Sequence, residues 1–183
     1  MRFNTNRMEY KITNIKLSVK CRDLCLDSVE RYLSNEKIPF KKFNNYIVTK
    51  IKYTYIIFKK NIRSDDNIYH INITKLDRFD CLDDSINNIR LMSKDCNICS
   101  YTIDNITVST NFQKTINLLE VLNKLPNEIR ATYNSETFPG IFLKYQHNRG
   151  TAILFHTGKC VLLGCKNLTN IEYILDSLKS LLQ

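Results

Sequence analysis

One pattern is written twice in this chain. YKITNIKLSVKCRDLCLDSVERYL, from Tyr10, aligns with YTIDNITVSTNFQKTINLLEVL, from Tyr101, and sets Asn14 against Asn105. FNNYIVTKIKYTYIIFKK, from Phe43, aligns with FPGIFLKYQHNRGTAILFHTGK, from Phe138, and each carries a second phenylalanine near the end of the next strand, Phe58 and Phe155. CLDDSINNIRLM and LTNIEYILDSLKSLL then close the two copies. The spacing drifts only from 91 residues (Tyr10 to Tyr101) to 97 (Phe58 to Phe155), so both copies are expected to fold into the same unit. The copies are read as residues 1–94 and 95–183.

Each copy reads as strand, helix, several strands, helix. Residues 10–20 and 101–109 alternate and are rich in β-formers, so each copy opens with a strand. Thr110-x-x-Gln113 is a capping-box pattern, and Ile116, Leu119, Leu122 and Leu125 recur behind it at helical spacing, predicting a helix there. Ala131-Thr132-Tyr133 fits a short strand. GIFLKYQ, TAILFH and CVLLGC, joined at His147–Gly150 and at Thr157-Gly158, predict an antiparallel meander. Thr169-x-x-Glu172 is a second capping box, ahead of a helix whose apolar face is Ile171, Ile174, Leu175, Leu178 and Leu182. The fold class is α+β, with two tandem repeats whose antiparallel sheets are continuous and whose helices lie on one side. The meander strands are apolar on both alternations: Ile153 and Phe155 point opposite to Ala152 and Leu154, and Val161 and Leu163 opposite to Cys160 and Leu162. Helices on one side leave the other apolar face open, and an open apolar face calls for a partner.

Charge bears on which partner. The 27 Lys and Arg against 18 Asp and Glu give a net charge of +9, which favours a polyanion such as nucleic acid over an acidic small-molecule substrate. The excess sits in the first copy, with 19 basic and 11 acidic residues through Lys94 against 8 and 7 after it. No run approaches the roughly 18 apolar residues of a membrane span, and the polar start MRFNTNRMEYK has no signal-peptide core, so the chain reads as intracellular with no membrane partner. Seven cysteines at irregular spacing fit reduced thiols better than a disulfide framework. Cys96-x-x-Cys99 lacks a suitably spaced second half, so no metal is expected. His70, His147 and His156 show no spacing to a nucleophile, and the chain reads as a non-enzyme without cofactor.

These residues resemble the TATA-box-binding protein family, across nearly the full chain and most clearly in the second copy. The family has a pattern like Tyr-x-x-Glu-x-Phe-Pro-Gly, matched here by Tyr133, Glu136, Phe138, Pro139 and Gly140. Its Phe-x-x-Gly-Lys followed by Gly-x-Lys is matched by Phe155, Gly158 and Lys159, then Gly164, Cys165 and Lys166. In the first copy Phe43, Phe58 and Asn14 fit, while the glycines are gone and NIRSDDN lengthens the turn after Phe58.

The resemblance implies a saddle with a curved antiparallel sheet on the concave side and helices on the convex side. It implies a transcription initiation factor that binds and bends A/T-rich duplex DNA through the minor groove and nucleates assembly of an initiation complex. Phe43, Phe58, Phe138 and Phe155 would be the wedges entering base steps. Asn14 and Asn105 would bond base acceptors near the pseudo-twofold axis, and Lys16, Thr107, Val161 and Leu163 would form the groove floor. Lys16 and Thr107 stand where the family tends to have valine, and Leu163 and Asn72 align with its fifth-strand threonine. Lys42, Lys144, Lys159 and Lys166 would contact phosphates, with Lys50, Lys52 and Lys75 as further candidates. Glu136 would meet transcription factor IIB or an analogue. The location implied is the nucleus, or a viral transcription compartment. Two other readings stay open: an interaction module that has kept the saddle and lost DNA binding, and the nucleic-acid-gripping accessory of an enzyme.

Overall fold

The computed structural model describes residues 9–59, 67–147 and 149–183. The polar start up to residue 8, residues 61–66 of the lengthened turn after Phe58, and Asn148 of the second-copy turn lie outside the described residues. The elements run β1 (Tyr10–Arg22), α1 (Leu26–Asn35), β2 (Phe40–Phe43), β3 (Tyr46–Lys50), β4 (Thr54–Phe58), β5 (Ile68–Leu76) and α2 (Cys81–Met92). Then follow β6 (Asn97–Asn111), α3 (Leu118–Asn123), β7 (Ile129–Thr132), β8 (Gly140–Tyr145), β9 (Gly150–Phe155), β10 (Lys159–Cys165) and α4 (Leu168–Leu181).

Backbone contacts divide the chain into two compact units. One, here the first-copy unit, is Asn14–Asp104; the other, the second-copy unit, joins the residues up to Thr13 to Asn105–Gln183. Each opening strand therefore contributes to both units: Tyr10–Thr13 of β1 counts with the second copy, and residues 97–104 of β6 with the first.

In the first-copy unit the antiparallel strand order is β2-β3-β4-β5-β1. Alternation decides its faces. Ile15, Leu17, Val19 and Cys21 are buried on one side of β1, joined by Ile47, Tyr55, Ile57, Ile71 and Ile73 from the neighbouring strands. Against them lie Val29 and Leu33 of α1 and Ile86, Ile89 and Met92 of α2. Each such side chain contributes about 1.5–3 kcal/mol when removed from water, so this face carries the unit's stability.

The second-copy unit has the order β6-β10-β9-β8-β7, again antiparallel. Its core joins Ile106, Val108, Ile141, Leu143, Ala152, Leu154 and Leu162 to the apolar stripe of α4. Four of the five expected positions, Ile171, Ile174, Leu175 and Leu178, are buried, whereas Leu182 caps the helix end and is half-buried.

Both capping boxes are corrected. Thr110 lies inside β6, where its hydroxyl donates to the Glu9 carbonyl at 2.7 Å. The helix behind it begins only at Leu118. The Asn117 side chain caps it, accepting from the backbone N–H groups of Leu119 at 3.1 Å and Glu120 at 3.4 Å. The late start rotates the apolar face, so Leu118 and Val121 are buried and Leu119 is 62% exposed. α4 is likewise capped by an asparagine, Asn167 accepting from Asn170 N–H at 2.9 Å, which leaves Thr169 already inside the helix.

Candidate nucleic-acid interface

On each unit the sheet face turned away from the core is half-buried and accessible, and strand register orders it in rows. In the second-copy unit one row runs Phe142–Ile153–Val161–Ser109 across β8, β9, β10 and β6. The next runs Lys144–Thr151–Leu163. Thr107 lies on the same face of β6, between buried Ile106 and Val108. Thr107, Val161 and Leu163 thus come together, with Lys144 at the row's outer end.

Phe138 and Phe155 meet at one edge of this face, their ring centroids 5.7 Å apart, with Phe142 5.0 Å from Phe138. Gly140 pairs with Phe155 across β8 and β9 and lies beneath both rings. A Cβ on it would stand 2.9 Å from a Phe138 ring carbon and 3.0 Å from one of Phe155. The glycine is there for close approach of two phenyl rings. Asn134 shapes the turn before it, its carbonyl accepting the Phe138 N–H at 3.0 Å and its side chain the Glu136 N–H at 3.0 Å. Glu136 is exposed on that turn.

The first-copy edge is built differently. Tyr46 pairs with Phe58 as Gly140 pairs with Phe155, so a tyrosine fills the place of the glycine. The row reads Phe43–Tyr46–Phe58–His70–Lys20 across five strands. Phe43 stacks on Tyr46 at 4.3 Å and Phe58 on His70 at 5.8 Å. All four predicted phenylalanines reach the open faces, but only Phe138 and Phe155 touch each other among the described ring contacts.

Asn14 and Asn105 do equivalent work. Each lies where strand register shifts, beside Ile15 and beside Ile106. Asn105 Oδ1 accepts the Gly164 N–H at 2.6 Å, and Asn14 Oδ1 the Lys75 N–H at 2.7 Å. Gly164 and Lys75 both have left-handed backbones, φ 77° and 69°. Lys75 is therefore the first-copy counterpart of Gly164. With each Oδ1 held by the backbone, the amide presents Nδ2, a donor, and Asn105 Nδ2 also reaches Thr107 Oγ1 at 3.1 Å.

This equivalence corrects the alignment of Asn72 with Leu163. Ser18 pairs with Asn72 as Ser109 pairs with Val161, so Asn72 matches Val161 and Thr74 matches Leu163. A slip of two residues keeps the same face, which is why alternation could not reveal it.

The basic candidates separate. Lys144 shares a row with the floor, and Lys159, paired with Asn111, and Lys166 are exposed at the two ends of β10. Lys42 does not join them: it pairs with buried Ile47 and turns to the helix side, where its Nζ is 2.5 Å from Glu30 and 4.0 Å from Asp27. Hydrogen bonding to Glu30 holds its pKa above the ordinary lysine value. Lys50, which occupies the row position of Lys144, lies on the open side, whereas Lys52 is bound to Asp84 of α2 at 3.5 Å. Lys16 lies on the open face of β1, 3.7 Å from Asp104. Sequence reasoning passed over Tyr46, Ser18 and Asp104; strand alternation held the signal for Ser18 alone.

Residues 100–183 match the family profile described as transcription factor TFIID (or TATA-binding protein, TBP). The TATA-box-binding protein of Pyrobaculum calidifontis is 35% identical over 83 residues, covering 45% of this chain and 40% of that protein. That of Thermococcus celer is 31% identical over 81 residues, covering 44% and 41%. The second copy is thus similar to the TATA-box-binding protein family. These matches span about two fifths of the relatives' own length. The solved structure of Methanococcus jannaschii TBP is similar over 95% of this chain and 98% of its own, with a TM-score of 0.74 at 19% identity. At that identity the likeness shows the fold, and it extends the TATA-box-binding protein fold through the degenerate first copy. The expected α+β class is the one observed.

Proposed function

We propose that the chain is a transcription initiation factor that binds duplex DNA through the minor groove, bends it, and serves as the platform on which an initiation complex assembles. The observation that carries this reading is the Phe138–Phe155 pair, held together over Gly140 at the edge of an accessible apolar sheet face. Rings so placed would enter a base step. Unstacking costs about a few kcal/mol per step and is offset by contact between the opened groove and the sheet. Asn14 and Asn105 present amide donors, and the minor-groove edges of A·T pairs present only acceptors. Thr107, Val161 and Leu163 would line the floor by shape, and Lys144, Lys159 and Lys166 would contact phosphates. Exposed Glu136 would meet transcription factor IIB or an analogue. The chain would act wherever its host's promoters are transcribed, nucleus, nucleoid or viral compartment, with the copies 1–94 and 95–183 each contributing one end of the contact.

A short A/T-rich duplex labelled at both ends tests this across a salt series. Wild type is expected to bind and shorten the end-to-end distance, and Phe138→Ala/Phe155→Ala to lose most of the bend. A wild-type chain that neither binds nor bends at low salt would overturn the DNA reading and leave an interaction module.

A further inference from the structure

The two floors differ in hydrogen-bond chemistry. In the second-copy unit Ser109 faces Val161, and Leu163 lies in the next row. In the first-copy unit Ser18 faces Asn72, and Asp104 comes onto the same site from the opening residues of β6. Ser18 Oγ is 2.5 Å from Asp104 Oδ2 and 3.0 Å from Asn72 Oδ1, both of them acceptors. A serine hydroxyl has one proton, and the carboxylate is the stronger acceptor, so it takes that proton. The same oxygen is then satisfied by Asn72 when its amide turns NH2 toward Ser18, which directs Asn72 Oδ1 away from the serine. Lys16 Nζ, 3.7 Å from Asp104 Oδ2, offsets the carboxylate's charge, and Thr102 Oγ1 donates to Oδ1 at 3.3 Å. Asp104, Asn72 and Lys16 are all partly exposed.

The minor groove holds acceptors on every base pair and one donor, the 2-amino group of guanine. Against Val161 and Leu163 that amino group would lose its water with nothing in return, which disfavours G·C there. Against carboxylate and amide oxygens it finds partners. We propose that the first-copy floor takes a G·C base pair, with Asp104 and Asn72 as acceptors for the guanine 2-amino group. The bound element is then asymmetric, A·T-selective under one copy and G·C-containing under the other. This rests on the minor-groove reading above.

Selection from a randomised duplex pool, followed by replacement of any selected guanine with inosine, separates the two. Inosine pairs with cytosine but lacks the amino group, so the groove floor becomes that of an A·T pair. A fixed G·C pair in one half of the element is expected, with inosine weakening wild type about tenfold, the scale of one mismatched pair. Asn72→Val, which installs the second copy's residue, is expected to reduce that penalty to about twofold or less. Inosine and guanine bound equally, or a selected element of A·T pairs throughout, overturns the proposal while DNA binding stands. A pool from which nothing is enriched at low salt overturns the minor-groove reading itself. The wild-type inosine comparison decides the matter even where the variant fails to fold.

Discussion

Asn105 combines two tasks that one substitution can separate. Its Oδ1 holds the Gly164 N–H where strand register shifts, and in the proposed interface its Nδ2 would be the donor offered to DNA. Asn105→Asp keeps an acceptor for Gly164 and removes the donor. Urea denaturation is expected to show stability within about 1 kcal/mol of wild type, with DNA affinity down at least tenfold. Asn105→Leu, by contrast, leaves the Gly164 N–H without an acceptor and should cost about 1–3 kcal/mol. Equal DNA binding by wild type and Asn105→Asp would remove this residue from the interface. The asparagines were legible in the sequence because both copies carry them. Their bond to the neighbouring strand was not, because it spans 61 residues in one copy and 59 in the other.

The hairpin of β8 and β9 aims the rings, and its glycine is the element's control point. Gly140 has an ordinary backbone, so an alanine there is not strained, and reduced freedom of the unfolded chain even favours it by about 0.4–1 kcal/mol. Its methyl would instead push aside two half-exposed rings. Gly140→Ala is therefore expected to melt within a few degrees of wild type and to bend doubly labelled DNA distinctly less, read by energy transfer. A full bend would show that the rings act without their mutual contact. The same element explains the first copy's divergence. Tyr46 fills the glycine's place and stacks on Phe43, so that edge offers a row of rings instead of a touching pair. Phe43 and Phe58 aligned readily with Phe138 and Phe155, but the tyrosine between them emerged only from the pairing of β3 with β4.

Across the whole molecule the net charge of +9 makes any DNA contact salt-sensitive, and placement decides which charges count. Each phosphate contact adds about 0.9 to the slope of log affinity against log salt concentration. Lys144→Ala, which removes a lysine beside the floor, is expected to lower that slope by about one. Lys42→Ala removes a lysine tied to Glu30 and Asp27 on the helix side and should leave the slope unchanged. The reverse pattern would move the DNA-contacting face to the other side of β2. Composition counted these two lysines alike. Only the pairing of Lys42 with Ile47 and of Lys144 with Thr151 tells them apart.

The chain's own order of residues determined the repeat, the α+β class and the choice of apolar faces, because alternation and helical spacing are local and every residue carries its part of the signal. The meander β8–β10 and the buried stripe of α4 could be read directly. Tertiary structure alone decided which strand ends join which unit, where the helices start, and which residues of the two copies correspond. A register shift changes partners without changing faces, so Asn72 came to match Val161. Asp104 meets Ser18 and Lys16 from 86 and 88 positions away in sequence, a contact made by strand packing that no local pattern records.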